Sequence, residues 1–243
     1  MSVLDARSLS LVFDELSRAR DERMTTVVLL PGLGADQRLF ESVRLKDHEL
    51  IIPPWPIPDA GDSIAAFAAR LRGALPNGEA LFLGGSSFGG MVALELAALL
   101  QPRGVFLIGS CSSPDAVTRL ARPLAALAPI LPESVLKPRA WVFRRVARFF
   151  GRLSDEQREL FVSMACEAKA SFILWGVKAS LSWRPSTQAA PVHQIHGSED
   201  RLIPLARVRP DSIVRGGGHL LPLTHPVQVT RFMSDVLCKY SGG

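Results

Sequence analysis

The 243-residue sequence contains few cysteines and no long hydrophobic run. Its three cysteines, Cys111, Cys166 and Cys238, are an odd number, lie far apart and lack the spacing of metal ligands. We therefore expect neither a disulfide framework nor a zinc site, and a reducing compartment suits the chain. The first five residues lack the basic-then-apolar pattern of a signal peptide, and Glu95 or prolines interrupt the best apolar runs. These features predict a cytoplasmic protein without a membrane span.

Internal repeats, disorder-prone segments and nucleic-acid-binding motifs are also missing. The hydrophobic content of 47% over 243 residues allows a substantial core, in one large α/β domain or two small ones. The net charge of +5 is unevenly spread, because residues 119–158 hold nine basic and three acidic side chains. This basic cluster fits an acidic carrier protein or an anionic substrate tail, and it also fits a solvated helix face.

One stretch, residues 81–100, combines a structural and a chemical signal. A short apolar run passes through small residues into a helical pattern, which predicts a buried strand, a tight turn and a helix. In the turn, Gly85, Ser87 and Gly89 fit the pattern G-x-S-x-G, whose glycines allow a serine to adopt a strained backbone conformation with an exposed hydroxyl. The following helix directs its N-terminus, and the backbone N–H of Phe88, toward a developing oxyanion.

A second glycine loop, Pro31-Gly32-Leu33-Gly34, follows a predicted strand over residues 26–30. One interpretation is a strand-to-helix turn with Asp36 as the N-cap. The other is functional: the glycines let the backbone direct an N–H, best assigned to Leu33, toward the serine as the second donor of an oxyanion hole. The loop lacks the third glycine and the lysine-hydroxyl ending of a phosphate-binding loop.

Predicted strands and helices alternate along the first part of the chain. Strands are predicted over residues 26–30, 49–52 and 104–109 and from residue 81 into the small residues that follow, and helices over 37–43, 63–75 and 91–100. This alternation predicts an α/β fold with a mostly parallel sheet and helices on both faces. Residues 1–24 are ambiguous between an edge strand and a loose extension.

The alternation stops after residue 110. Helical patterns punctuated by prolines fill residues 111–183, and the next strand is predicted only after Pro191. An insertion of this length between core strands predicts a helical cap, residues 111–186, on a core made of residues 1–110 and 187–243. The cap is rich in apolar and aromatic side chains. Most should pack against the core, and some should line a pocket above Ser87.

Three chemically matched residues, Ser87, Asp200 and His219, follow one another in the chain, each just beyond the end of a predicted strand. The carboxyl ends of parallel strands meet at the edge of the sheet where ligands bind, so the three side chains can converge there. A serine hydroxyl is a poor nucleophile until an imidazole takes its proton. The imidazole in turn needs a carboxylate to fix its tautomer.

Other acidic and histidine residues compete for these roles. Asp115 also follows a predicted strand and is an alternative acid, whereas Glu199, next to Asp200, is expected to point away. The remaining histidines have structural interpretations: His225 as a structural or rim residue, His193 and His196 as hydrogen-bonded core residues, and His48 as an exposed residue.

The motifs resemble those of the α/β-hydrolase superfamily, over a region from about Thr25 to the C-terminus apart from the cap. The matching segments are Pro31-Gly32-Leu33-Gly34, Gly85-Ser86-Ser87-Phe88-Gly89-Gly90, His196-Gly197-Ser198-Glu199-Asp200 with Pro204, and Gly217-Gly218-His219. One departure is Pro31, where many members have histidine. The resemblance implies Ser87 as nucleophile, Asp200 as acid, His219 as base, Leu33 and Phe88 as backbone oxyanion donors, and no metal or organic cofactor.

The resemblance also limits the reaction. Serine at the turn argues against members that use aspartate there, such as haloalkane dehalogenases and epoxide hydrolases. We expect a serine hydrolase that cleaves a carboxylic ester of a small to medium, largely apolar acyl substrate through an acyl-enzyme. One alternative is a thioesterase acting on a CoA or carrier-protein thioester, with Arg144, Arg145 and Arg148 receiving a phosphopantetheine carrier. Another is a non-catalytic ligand-binding protein on the same scaffold.

Overall fold

The computed structural model describes residues 24–59, 61–76, 78, 80–118, 140–188 and 190–240. The predictions for residues 1–23 and for the cap segment 119–139 lie outside these residues. The strands are β1 Thr25–Leu30, β2 His48–Ile51, β3 Leu81–Ser86, β4 Gly104–Ile108, β5 Val192–Gly197 and β6 Ser212–Val214. The α-helices are α1 Ile64–Arg72, α2 Phe88–Leu100, α3 Ala140–Val146, α4 Asp155–Glu167, α5 Ala170–Ser182, α6 Leu221–Thr224 and α7 Pro226–Tyr240.

The six strands form one sheet in the order β2-β1-β3-β4-β5-β6, and every neighbouring pair is parallel. Alternate side chains of a strand point to opposite faces. Along β1, Val28 and Leu30 therefore pack with α1 and α2, whereas Val27 and Leu29 pack with α7. The prediction of a mostly parallel α/β sheet with helices on both faces is confirmed.

Local sequence signals explain the ends of several elements. Helix α1 begins after Ser63, whose side chain accepts a hydrogen bond from the N–H of Ala66. The helix predicted over residues 37–43 is shorter, a single 3-10 turn at Gln37–Phe40. Asp36 caps this turn, as predicted, by accepting from the N–H of Arg38 at 2.9 Å. Residues 41–47, which form turns and coil, then connect this 3-10 turn to β2.

Between β4 and β5, the described residues form helices and turns without a strand. Helix α5 lies across the core and contacts α1 and α2. The indole N–H of Trp175 donates to the carbonyl oxygen of Asp62 at 3.0 Å, and that of Trp183 donates to Glu95 at 2.7 Å. These bonds hold the end of the insertion against the core. The division of the chain into a core and a cap, with boundaries after residue 110 and before residue 187, stays a prediction.

In the part of the chain that the structure describes, no single helix is long and apolar enough to cross a membrane. Helices α4 and α5 pass that test only as a pair, and they meet at a bend of 98°. The thiols of Cys111, Cys166 and Cys238 are free. The described residues contain no group of three or more side chains suited to a metal ion.

Candidate active site

Ser87 lies at the sharp turn between β3 and α2, with φ 53° and ψ −120°. This conformation is strained for a residue with a side chain, and close backbone packing holds it. A Cβ atom on Gly89 would lie 2.0 Å from the carbonyl oxygen of Leu30, and one on Gly85 would lie 2.3 Å from the carbonyl carbon of Gly89. The hydroxyl of Ser110 donates to the carbonyl oxygen of Ser87 at 2.6 Å. The two glycines therefore let α2 begin directly against β1.

His219 connects Ser87 to Asp200. Its Nε2 lies 2.8 Å from Oγ of Ser87, and its Nδ1 lies 2.7 Å from Oδ2 of Asp200. The other carboxylate oxygen, Oδ1, accepts from the N–H groups of Leu202 and Ile203, each at 2.9 Å. His219 and Asp200 are only 2% and 5% exposed. The structure thus brings the three sequence-predicted side chains together at the C-terminal edge of the sheet.

The segment between β4 and β5 supports His219 from the other side. The N–H of His219 donates to the carbonyl oxygen of Phe150 at 2.7 Å, and the two rings pack with centroids 5.5 Å apart. A Cβ atom on Gly218 would lie 2.2 Å from that carbonyl oxygen, so the chain before His219 must pass very close to Phe150. The sequence predicts Phe150 only as one of the apolar and aromatic residues of a cap, because nothing local to it indicates a contact with His219.

The surroundings of Asp200 favour its charged form. Burial alone would raise the pKa of Asp200. Electrostatic attraction to His219, hydrogen bonds from the His196 and His219 rings and a hydrogen bond from the backbone N–H of Ile203 together hold that pKa well below its usual range. An ionised carboxylate only accepts hydrogen bonds, so Nδ1 of His219 carries the hydrogen. Nε2 is then free to accept the proton of the Ser87 hydroxyl.

Two backbone segments approach Ser87 where an oxyanion would form. Phe88 is the first residue of α2, so its N–H has no acceptor within the helix. The glycine loop passes beside the serine, since a Cβ atom on Gly32 would lie 3.4 Å from Cβ of Ser87. The side chain of Leu33 packs against Gly176 of α5, where a Cβ atom would lie 2.3 Å from Leu33 Cδ2. Helix α5 therefore holds the loop near the serine.

A small cavity of about 80 Å³ opens at Ser87. Its lining is almost entirely apolar: Leu33, Ser87, Phe88, Met91, Val117, Val177, Ser180, Leu181, Leu202 and Ile203. Helix α5 contributes Val177, Ser180 and Leu181, three residues at helical spacing. Nothing local distinguishes these three from the many other residues of the predicted cap, so the sequence does not predict that they line the cavity. Among the aromatic residues of the same segment, Phe172 and Trp183 are buried in the core and Trp141 is 59% exposed.

A larger cavity of about 680 Å³ lies between the glycine loop, the proline-rich loop after β2 and the start of α5. Trp55 and Phe172 form part of its wall, and none of Ser87, Asp200 and His219 lines it. The larger of the two cavities is therefore not the one that contains Ser87.

The competing residues lie elsewhere or make other contacts. Asp115 is exposed, and the exposed Glu199 has its carboxylate 3.9 Å from Arg152. The other histidines have different surroundings. His225 forms a hydrogen bond with Thr224, and His193 forms one with Tyr240. His48 is half-buried rather than exposed, and His196 is fully buried next to Asp200. Burial lowers the pKa of His193 and of His48.

The sequence model of the alpha/beta hydrolase family matches residues 5–232, nearly the whole chain. The chain belongs to the alpha/beta hydrolase family. No curated protein matches this alpha/beta hydrolase.

Solved structures share the fold of this alpha/beta hydrolase at low sequence identity. An esterase from Thermogutta terrifontis is 19% identical with a TM-score of 0.66, over 88% of this chain and 90% of its own. An esterase from Exiguobacterium antarcticum is 17% identical with a TM-score of 0.70, over 88% and 92%. A thioesterase from the prodiginine biosynthetic pathway of Streptomyces coelicolor is 16% identical with a TM-score of 0.57, over 89% of each chain. At such identities the likeness shows a common fold and no common substrate.

Proposed function

We propose that this alpha/beta hydrolase is a serine hydrolase that cleaves a carboxylic ester of a small to medium, largely apolar acyl substrate. The observation that supports this most directly is the hydrogen-bond chain from Asp200 through His219 to Ser87, with distances of 2.7 and 2.8 Å. Hydroxyl, imidazole and carboxylate in that order are the parts that nucleophilic acyl transfer requires.

In the proposed mechanism Oγ of Ser87 attacks the ester carbonyl while Nε2 of His219 takes the hydroxyl proton. The N–H groups of Leu33 and Phe88 stabilise the oxyanion of the tetrahedral intermediate. His219 then donates its proton to the leaving alcohol, and the acyl group remains on Ser87. His219 next takes a proton from water, which attacks the acyl-enzyme and releases the carboxylic acid. Asp200 stays ionised throughout and stabilises the imidazolium.

The lining of the small cavity supports the choice of an apolar acyl group. Among the described residues that line it, none has a charged side chain. The hydroxyl of Ser180 is already occupied, because it donates to the carbonyl oxygen of Gly176 at 2.7 Å. In this proposal residues 111–186 act as a cap, since α5 contributes one wall of the cavity. The three free thiols suit the cytoplasmic location that the sequence predicts.

Labelling with a serine-directed fluorophosphonate tests the nucleophile. We expect the wild type and Ser112→Ala, a control at a nearby exposed serine, to be labelled and Ser87→Ala to stay unlabelled. A series of p-nitrophenyl esters of increasing chain length should be hydrolysed in the same Ser87-dependent way. Absence of Ser87-dependent labelling and turnover would favour the non-catalytic ligand-binding alternative.

A thioesterase acting on a CoA or carrier-protein thioester is the second candidate, and the surface of the cap favours it. Arg145 and Arg148 are exposed, and neither makes an ion pair within the described residues, whereas Arg144 is bound to Glu159 at 2.8 Å. Two guanidinium groups without an ion pair among the described residues, a few positions after the exposed Trp141 in the chain, fit a phosphopantetheine phosphate and an acidic carrier.

Replacement of Arg145 and Arg148 by alanine tests this second candidate. We expect a higher KM for carrier-bound thioesters and an unchanged KM for p-nitrophenyl esters. The double variant Arg209→Ala/Arg215→Ala, at two exposed arginines outside the segment between β4 and β5, is the matched charge control. Equal KM values for carrier thioesters in all three proteins would remove the carrier hypothesis.

A further inference from the structure

His196 is a buried side chain to which the proposed mechanism gives no role. It lies on β5, four residues before Asp200, and has no exposed surface. Its Nε2 lies 2.8 Å from the carbonyl oxygen of Ile203 and 3.3 Å from Oδ2 of Asp200. A carbonyl oxygen only accepts hydrogen bonds, so this nitrogen carries a hydrogen. The N–H therefore lies between a backbone oxygen and the carboxylate oxygen that holds His219.

The remaining nitrogen of His196, Nδ1, is buried and has no hydrogen-bond partner among the described residues. A buried polar atom without a partner is unfavourable, and an apolar side chain of similar size would avoid that cost. The imidazole nevertheless supplies a hydrogen-bond donor, the N–H at Nε2, that an apolar side chain would lack. That N–H and the Nδ1–H of His219 are the two side-chain donors near Oδ2 of Asp200 in the described structure.

We propose that His196 is a positioning residue that fixes Oδ2 of Asp200 where it receives the Nδ1–H of His219. This inference rests on the proposed hydrolase function. Without the second donor, Oδ2 is held by His219 alone, although the orientation of His219 depends on that same oxygen. The imidazole then aligns less well with the hydroxyl of Ser87. Because His196 does not line the cavity at Ser87, its loss affects kcat rather than KM.

The same contact predicts a change in pH dependence. A carboxylate with fewer donors attracts the proton on His219 more strongly, so the acidic limb of the kcat/KM profile moves to higher pH when His196 is replaced. Among the residues that the structure describes, the titratable groups that interact with Asp200 are His196, His219 and Cys111. Burial raises the pKa of the Cys111 thiol to about 12, so this thiol stays uncharged and does not contribute to the limb.

Steady-state hydrolysis of p-nitrophenyl butyrate over a pH series tests the proposal. His196→Leu removes the donor with little change in volume, and His196→Gln restores an N–H near Nε2. We expect His196→Leu to lower kcat about tenfold at unchanged KM and to move the acidic limb upward. His196→Gln should recover most of the lost kcat and return the acidic limb most of the way to its wild-type position. The control is His193→Leu, on the same strand, which removes a bond to Tyr240 but touches no part of the site and should match the wild type.

Several outcomes would overturn the positioning role. The positioning role is wrong if His196→Leu keeps the wild-type kcat and acidic limb. It is also wrong if kcat falls in His196→Leu without a movement of the acidic limb, or if kcat falls equally in His193→Leu. If His196→Leu does not fold, His196→Asn takes its place, because the amide of asparagine is too short to reach Oδ2 of Asp200. A wild-type acidic limb in the kcat/KM profile of His196→Asn then overturns the proposal. Ser87→Ala in the same assay separates the two hypotheses, since unchanged hydrolysis there overturns the proposed function instead.

Discussion

At the residue scale, Asp200 is a buried charge that its neighbours stabilise. Both carboxylate oxygens are occupied, Oδ1 by two backbone N–H groups and Oδ2 by His219 with His196 nearby. A buried ion is unfavourable unless such partners compensate for the lost water. The same contacts that keep Asp200 ionised also fix the tautomer of His219. Stability and proposed chemistry therefore depend on one set of hydrogen bonds.

The low pKa of Asp200 makes its contribution to stability depend on pH. The pKa in the folded state lies below the ordinary value of 3.8, so the contribution is fully present above that value and is lost as the pH falls toward the folded-state pKa. We expect the free energy of unfolding of the wild type to exceed that of Asp200→Asn by about 2–3 kcal/mol at neutral pH. The difference should shrink as the pH falls below 3.8.

Urea unfolding at a series of pH values measures this difference. Glu199→Gln, at the exposed neighbouring carboxylate, is the control and should change the free energy of unfolding by less than about 0.5 kcal/mol. A difference between wild type and Asp200→Asn that stays constant from neutral to acidic pH would contradict the prediction.

At the element scale, the site depends on how closely helices approach the sheet. Helix α2 begins directly against the end of β1, and α5 lies over both the glycine loop and the cavity at Ser87. Glycines allow the close contact between α2 and β1, and Gly176 leaves space for Leu33 where α5 packs on the glycine loop. The position of the serine hydroxyl is therefore set by packing between elements as well as by the turn itself.

Two glycine substitutions test the approach of α2 to β1. In Gly89→Ala the new methyl would lie 2.0 Å from the carbonyl oxygen of Leu30, so α2 must shift and we expect a loss of more than about 3 kcal/mol in stability. In Gly32→Ala the methyl would lie 3.4 Å from Cβ of Ser87, an ordinary contact, and the protein should stay folded. Thermal unfolding measures both. Similar melting temperatures for Gly89→Ala and wild type would refute the close contact.

A buried carboxylate on α2 holds the end of the insertion. Glu95, 2% exposed, accepts from the indole N–H of Trp183 at 2.7 Å and from the N–H and hydroxyl of Ser186 at 3.0 and 2.6 Å. Glu95→Leu leaves these donors unpaired and should lower the free energy of unfolding by about 3 kcal/mol. Glu95→Gln keeps an acceptor and should cost about 1 kcal/mol. Equal denaturation midpoints in urea for the two variants would contradict this assignment.

At the scale of the whole molecule, the sheet separates two hydrophobic clusters, and the site lies at its C-terminal edge beneath the insertion. Among the described residues, five separate parts of the chain line the small cavity: the glycine loop, the start of α2, the segment after β4 at Val117, helix α5 and the turn after β5. Under the proposed function, the size of the acyl group that fits is thus a property of the assembled fold. No single segment determines it.

Enlarging this cavity should change the preferred acyl chain. Leu181→Ala removes a side chain that closes the cavity of about 80 Å³. We expect the ratio of kcat/KM for octanoate over butyrate p-nitrophenyl esters to rise about tenfold, because a few methylene groups gain space. Lys178→Ala, at an exposed residue of the same helix, is the control and should keep the wild-type ratio. An unchanged ratio in Leu181→Ala would show that the acyl chain binds elsewhere.

The sequence by itself determined the order of strands and helices, the parallel sheet and the spacing of Ser87, Asp200 and His219, since these follow from local periodicity, from glycine chemistry and from the shared edge of parallel strands. Tertiary structure alone decided the support of His219 by Phe150, the approach of His196 to Asp200 and the lining of the cavity by α5. Each of these contacts joins side chains of different elements. Which of them meet depends on how the packed helices lie on the sheet, and no local pattern encodes that.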